Sequence, residues 1–202
     1  MARLDVGTLP GLPEIQLALI NADFPSGPLP PEVMRAVIAE PAYWAFCWGS
    51  GLALARFLLD QPHWVEGKRV VDLGCGSGVA AIGAALAGAQ SVLACDTDTD
   101  ARSASRVNAH LNDVNITVSD ALPDTCDVLL MADVLYDKQN LALLSVAQAC
   151  ASQVLVADSR ITRLPDPSYT EITVIPALTF PNLGEFDEYA TVHVFHWSDH
   201  IG

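Results

Sequence analysis

The run Val70-Val71-Asp72-Leu73-Gly74-Cys75-Gly76-Ser77-Gly78 constrains the fold more than any other stretch of this chain. An apolar segment of strand length leads straight into a loop with glycine at every second position, and an apolar helical pattern begins at Val79. Glycine has no Cβ, so it accepts positive φ and lets a ligand approach the backbone closely. The helix that follows offers unpaired N–H groups in its first turn. Strand, glycine turn and helix in that order open a βαβ unit, against which a nucleoside-carrying ligand can lie.

Beyond Gly67, short apolar runs alternate with helical stretches, the signature of a parallel sheet covered on both faces. The patterning predicts strands near Arg69–Leu73, Ser91–Asp96, Ile116–Ser119, Asp127–Ala132 and Val154–Asp158, with helices near Val79–Ala87, Asp100–Leu111 and Gln139–Ala151. Two β-rich runs, Tyr169–Ile175 and Tyr189–Trp197, flank the turn-rich Phe180-Pro181-Asn182-Leu183-Gly184 and predict an antiparallel pair at the sheet's edge. The expected fold class is α/β. Specifically, it is a Rossmann-like three-layer sandwich over residues 67–202, with a mostly parallel seven-stranded sheet and an antiparallel C-terminal hairpin. Residues 1–66 read as an N-terminal extension with no independent core. Pro25-Ser26-Gly27-Pro28-Leu29-Pro30-Pro31 forbids a helix or central strand, so the first forty residues are expected to be an extended arm or lid. Gly51–Leu59 is expected to be a helix lying on the sheet.

Composition narrows the function classes. Ten Lys and Arg stand against twenty-four Asp and Glu, a formal net charge of −14. Such a surface repels phosphate backbones, so nucleic acid is an unfavourable partner and a basic protein or a small amine a favourable one. Apolar stretches are broken before the roughly 20 residues a membrane span needs, so no membrane association is expected. The first residues lack the apolar core of a secretory signal, and the expected location is cytoplasmic. Cys47, Cys75, Cys95, Cys126 and Cys150 form no C-x-x-C pair and are expected to be buried thiols, with no metal site. His63, His110, His193, His196 and His200 show no metal-ligand spacing. The acidic run Glu185-Phe186-Asp187-Glu188 reads as a solvated turn, with a grip on basic residues as the alternative. Oligomeric state is not legible.

The ligand can be argued from the loop. Dinucleotide sites use G-x-G-x-x-G with a pyrophosphate at the helix N-terminus; here the third glycine comes one residue early and Val79 holds its place. Asp72 at the strand end disfavours a pyrophosphate and suits the α-ammonium of a methionine moiety. Asp96, with Thr97 beside it, follows the loop by about twenty residues, where a carboxylate accepts from ribose hydroxyls. NAD sites have that acid too. After the third strand, Asp120 can accept from an adenine amine and Ala121 can supply a backbone N–H. Singly, such aspartates are often only helix caps. Three at successive strand ends point to S-adenosylmethionine, cradled by Gly74, Cys75, Gly76 and Gly78.

With these motifs the sequence resembles the class I, seven-β-strand methyltransferases. Pro41-Ala42-Tyr43-Trp44-Ala45-Phe46-Cys47-Trp48-Gly49-Ser50-Gly51 ahead of the glycine loop, joined to Asp133-Val134-Leu135-Tyr136 after the fourth strand, resembles the protein-lysine methyltransferases. The resemblance extends to the group acting on the electron transfer flavoprotein beta subunit, and implies that Asp133 and Tyr136 stand at the methyl-transfer site with Trp48 packed near the cofactor. It also places Asp133 among the cofactor contacts. Trp44 and Phe46 are expected to be core, with a cation-attracting aromatic wall of Trp44, Phe46 and Trp48 above the sulfonium as the alternative. The region Asp158–Arg163, followed by two prolines, is shorter than the resemblance implies, which keeps a small-molecule N-methyltransferase and a non-catalytic cofactor-binding module open as alternatives.

The implied reaction is in-line displacement by an acceptor amine, with S-adenosylhomocysteine leaving. It needs no metal and no nucleophilic side chain. Catalysis is then mostly the holding of a neutral amine about 3–3.5 Å from the methyl carbon with water excluded. A carboxylate at Asp133 suits positioning better than strong base catalysis, because it opposes the lowering of a lysine pKa from about 10.4. Asp133 as a helix cap and Tyr136 as core are the plain structural alternatives.

Overall fold

A computed structural model describes residues 3–21, 41–182 and 190–199. Pro25–Pro31 and Glu185–Glu188 lie outside the described residues. Seven strands form the main sheet: β3 (Arg69–Leu73), β4 (Ser91–Cys95), β5 (Thr117–Ser119), β6 (Cys126–Ala132), β7 (Ala151–Asp158), β8 (Thr170–Pro176) and β9 (Thr191–Ser198). They are ordered β5-β4-β3-β6-β7-β9-β8. Neighbours from β5 to β7 pair in parallel, while β9 pairs antiparallel with both β7 and β8. The expected C-terminal pair is therefore present with one refinement: the later strand, β9, is inserted beside β7 and leaves β8 at the edge. Burial explains the choice, since β9 carries fully buried Val192 and Val194 whereas β8 buries no residue completely.

The described helices are α1 (Gly49–Asp60), α2 (Val79–Leu86), α3 (Thr99–Leu111) and α4 (Leu143–Cys150), and none is long and apolar enough to cross a membrane. Central strands are apolar on consecutive positions because both faces are covered. Val70, Val128, Leu130, Leu155 and Ala157 join one core cluster with α1 and α2. Val71, Leu129, Met131, Val154 and Val156 join another with α4. Helices α1 and α2 cross closely over small residues. A Cβ on Gly83 would lie 2.8 Å from Ala55 Cα, and one on Gly51 would lie 2.8 Å from Val79 Cγ1.

Two expectations need correction. The helix expected over Gln139–Ala151 is a short 3-10 turn, Lys138–Ala142, followed by α4 alone, and β7 begins at Ala151, three residues before the expected Val154. Asp137 caps the 3-10 turn by accepting from the Gln139 N–H at 2.9 Å, which gives that segment its own start. The N-terminal forty residues are also not wholly an arm. β1 (Leu4–Leu9) and β2 (Leu12–Ile20) form an antiparallel hairpin turning at Pro10-Gly11, with Gly11 at φ 69°. Pro followed by Gly at positive φ is a turn signature, and Ile15, Leu17 and Leu19 alternate inward with period two. The proline density further along masked both signals.

Candidate active site

The sheet reverses its strand order at β3, which has β4 on one side and β6 on the other. Open α/β sheets bind ligands at this point, beyond the carboxyl ends of the strands. The glycine loop follows β3 here, and a cleft of about 560 Å³ opens beside it, lined by residues that include Leu73, Gly74, Gly76, Asp96, Thr97 and Asp133. That volume suits a drug-sized or nucleoside ligand.

The three loop glycines have different reasons to be glycine. All have positive φ, at 76°, 50° and 84°. A Cβ on Gly74 would stand 2.3 Å from Val134 Cγ1, and one on Gly78 would stand 2.9 Å from Ser105 Oγ. Those two positions are closed by the protein's own packing. A Cβ on Gly76 would meet nothing within 4 Å and would project into open space, while Gly76 itself lines the cleft. This is the cradle that a close-lying ligand requires. Cys75 is not on the wall: its buried sulfur accepts from the Ser105 hydroxyl at 3.1 Å and anchors the loop from behind.

The carboxylates separate by position. Asp96 lines the cleft, its Oδ2 accepting from the Gly76 N–H at 3.1 Å and its Oδ1 from the Asp98 N–H at 3.0 Å. It thus ties the β4 end to the glycine loop where the ribose acid was expected. Asp72 lies behind the loop, 2 % exposed, with Oδ2 accepting from the Ala81 N–H in the first turn of α2 at 3.0 Å. Burial, only partly opposed by that hydrogen bond, pushes its pKa up to about 7. Its place is that of a helix cap, and it is not among the residues lining the cleft. Asp120 and Ala121 are exposed at the carboxyl end of β5 and do not line the cleft either. The Ala121 N–H already donates to Ser119 Oγ at 3.0 Å, so it must exchange that partner to serve an adenine.

Asp133 follows the end of β6 at φ 53°, an uncommon conformation for a residue with a Cβ. Its N–H donates to Ala157 O of β7 at 3.1 Å. Oδ2 accepts from the Ser50 N–H, in the first turn of α1, at 3.2 Å, and the Arg160 guanidinium lies 3.5 Å from Oδ1. Oδ1 is buried and has no hydrogen-bond partner. Burial raises the Asp133 pKa to about 6, with Asp158 adding to the rise, and Ser50 and Arg160 opposing it. The side chain is therefore mostly ionised at neutral pH, with one oxygen left without a hydrogen bond.

Aromatic rings line the same side. Trp48 and Tyr43 meet edge to face at 5.9 Å between centroids, and Tyr43 lies 6.0 Å from Tyr136. The Trp48 indole donates to Tyr43 O at 2.9 Å. The backbone of Cys47 exchanges two 2.8 Å hydrogen bonds with Phe180, which fixes this segment to the chain after β8. Tyr136 is 58 % exposed, so the core alternative fails for it. Trp44 was expected to be core and is instead on the cleft wall, together with Trp48; Phe46 is not on that wall and packs on Trp48 at 5.7 Å. Sequence reasoning missed Tyr43, Asn140 and Arg160. Tyr43 sat within the quoted aromatic element. Arg160 follows Asp158 by two residues, the spacing of an aspartate-capped turn at a strand end. Asn140 fastens the loop by donating to Val134 O at 2.7 Å, a contact with no sequence signal.

The sheet order and the glycine loop at the switch point are those of the class I, seven-strand methyltransferase fold. Solved structures agree at the level of fold: a 16S rRNA N2 G1207 methyltransferase from Thermus thermophilus superposes with a TM-score of 0.57 at 15% identity, covering 99% of this chain and 51% of that one. A ribosomal protein L11 methylase from Lactobacillus delbrueckii gives 0.54 at 23% identity, covering 73% and 78%. In sequence, residues 54–144 match the family of ribosomal protein L11 methyltransferase (PrmA). More particularly, the chain resembles the electron transfer flavoprotein beta subunit lysine methyltransferases. It is 47% identical to that of Xenopus laevis over 105 residues, 52% of this chain and 42% of the relative. The human protein is 42% identical over 102 residues, 48% and 39%. The match thus spans about two fifths of each relative's length.

Proposed function

We propose that this chain is an S-adenosylmethionine-dependent N-methyltransferase acting on a protein lysine in the cytoplasm, with an acceptor of the electron transfer flavoprotein beta subunit type. The observation that carries this reading is Gly76, whose missing Cβ opens onto a cleft shared with Asp96 and Asp133. The residues fit the cofactor: Gly76 gives close backbone approach, Asp96 can accept from ribose hydroxyls, and Trp48 and Tyr43 supply aromatic faces that attract a cation. When bound, S-adenosylmethionine supplies an activated methyl group. Five buried free thiols accord with a reducing compartment, and the net charge of −14 favours a basic protein over nucleic acid.

The chain's own work is positioning. Asp133 Oδ1 accepts an N–H of the acceptor amine, and Tyr43 and Tyr136 wall the lysine stem and exclude water. Strain at Asp133 and the Ser50 hydrogen bond hold that carboxylate in one orientation before the acceptor arrives. Burial raises the phenol pKa of Tyr136, with Tyr43 adding to the rise, so it stays protonated and serves as a hydrogen-bonding hydroxyl.

Methyl-labelled cofactor, electron transfer flavoprotein beta subunit, bulk RNA and a mixture of small amines offered together test the acceptor. Label is expected on a lysine of the protein; label confined to RNA or to the small amines overturns this assignment. Asp133→Asn, which keeps the side-chain shape, is expected to lower transfer by about 100-fold. Because the Asp133 pKa is raised to about 6, wild-type turnover should fall as pH drops through that value and the carboxylate protonates.

A further inference from the structure

Arg160 lies on the cleft wall with its guanidinium 3.5 Å from Asp133 Oδ1. It follows β7, the strand paired in parallel with β6, so the two side chains spring from adjacent strand ends. Asp158, 1 % exposed, fixes its backbone: Oδ1 accepts from the N–H of Arg160 at 2.8 Å and of Ile161 at 3.0 Å. A forked bond to that guanidinium would need both Asp133 oxygens. Here Oδ2 is taken by Ser50, and Oδ1 has the positive charge beside it but no hydrogen bond from it. The carboxylate is electrostatically compensated while its directional bonding stays available.

We propose that Arg160 is a positioning residue for the acceptor: its fixed charge offsets that of Asp133, so that the amine held at Oδ1 binds as the neutral nucleophile. The role rests on the methyltransferase reading above. A lone carboxylate raises the pKa of a neighbouring amine and holds it as ammonium, which has no lone pair to attack with. A guanidinium beside the carboxylate cancels that effect, and it never deprotonates in the working range. The neutral amine then forms the N–C bond as the C–S bond breaks. That electron pair passes to sulfur, and the product ammonium releases its proton to water.

Among the described residues, the groups facing Asp133 leave this balance to Arg160. Ser50 contributes an uncharged N–H, and the Cys47 thiol is kept protonated by burial. Burial raises the Asp158 pKa, and its carboxylate already accepts from two N–H groups. Tyr136 is neutral, and Asp96 and Asp98 stand on the β4 side of the cleft.

Two measurements on wild type, Arg160→Gln and Arg160→Lys test this. The Asp133 carboxyl is titrated by side-chain carbon NMR, and kcat is followed from about pH 4 to 10 with electron transfer flavoprotein beta subunit as acceptor. Arg160→Gln should raise the Asp133 pKa and move the rising limb of kcat upward by about one pH unit. Turnover then falls about fivefold at pH 6 but only about twofold at pH 7, and recovers at higher pH. Arg160→Lys should keep the limb near the wild-type position. A folded Arg160→Gln protein whose limb does not move overturns the proposal, as does an Asp133 pKa that ignores the substitution. Absence of transfer by wild type to the protein, to bulk RNA and to the small amines alike overturns the methyltransferase reading itself, and the acceptor role with it, whatever the NMR titration shows.

Discussion

Gly74, Gly76 and Gly78 look alike in the sequence and differ in what surrounds them. Val134 and Ser105 close the first and third positions, whereas the second faces empty space. Glycine spacing located the loop but did not say which glycine touches a ligand, because that depends on α3 and the segment after β6. Asp72 shows the same limit. Its place at a strand end was legible, but the Ala81 N–H that captures it was not. A buried carboxyl with its pKa raised to about 7 lends the fold most stability below its unfolded pKa near 4, and loses that contribution as pH rises through 7. Asp72→Asn keeps an oxygen for Ala81 and removes the charge. Its melting temperature relative to wild type should therefore climb between about pH 4 and 7 and level off above; scanning calorimetry across that range checks it, and a flat difference would contradict the assignment.

At the scale of elements, the N-terminal hairpin is joined to the glycine loop through α3. Asn108, fully buried, donates to Ser77 O at 2.8 Å, and its Oδ1 accepts from the Ala18 N–H at 2.8 Å. One turn later, Asn112 accepts from Gln16 N–H at 2.8 Å and donates to Gln16 O at 2.7 Å. Two carboxamides thus act as a strand's partner along β2. Asn108→Leu leaves the buried Ser77 O and the part-buried Ala18 N–H unpaired, at about 1–3 kcal/mol each with the N–H at the low end. Urea unfolding should show a loss of about 2–4 kcal/mol, with faster hydrogen exchange at Ala18. An unchanged midpoint would mean that the hairpin does not depend on this link. The strands and helices of the sandwich were legible because period-two and period-3.6 patterning is local. β3 agrees end to end and α2 and α3 to within a residue. The hairpin and the insertion of β9 were not. Carboxamide pairing across ninety residues, and the choice of which late strand goes inside, are tertiary decisions that leave no local period.

On the scale of the whole molecule, one sheet edge gathers contributions from widely separated parts of the chain. β3 brings the glycine loop, β4 brings Asp96, β6 brings Asp133 and β7 brings Arg160, while the Tyr43–Trp48 segment closes over them. Motif residues on β3, β4 and β6 were readable in advance, since each follows a strand whose carboxyl end faces the switch point. The most direct test of the whole arrangement is calorimetric titration of S-adenosylmethionine and, separately, NAD into wild type and a folded Gly76→Val variant. The account predicts that wild type binds the sulfonium nucleoside and not the dinucleotide, and that a branched side chain at position 76 removes that binding. Equal affinity in the folded variant, or NAD taking the cleft in place of S-adenosylmethionine, would contradict it.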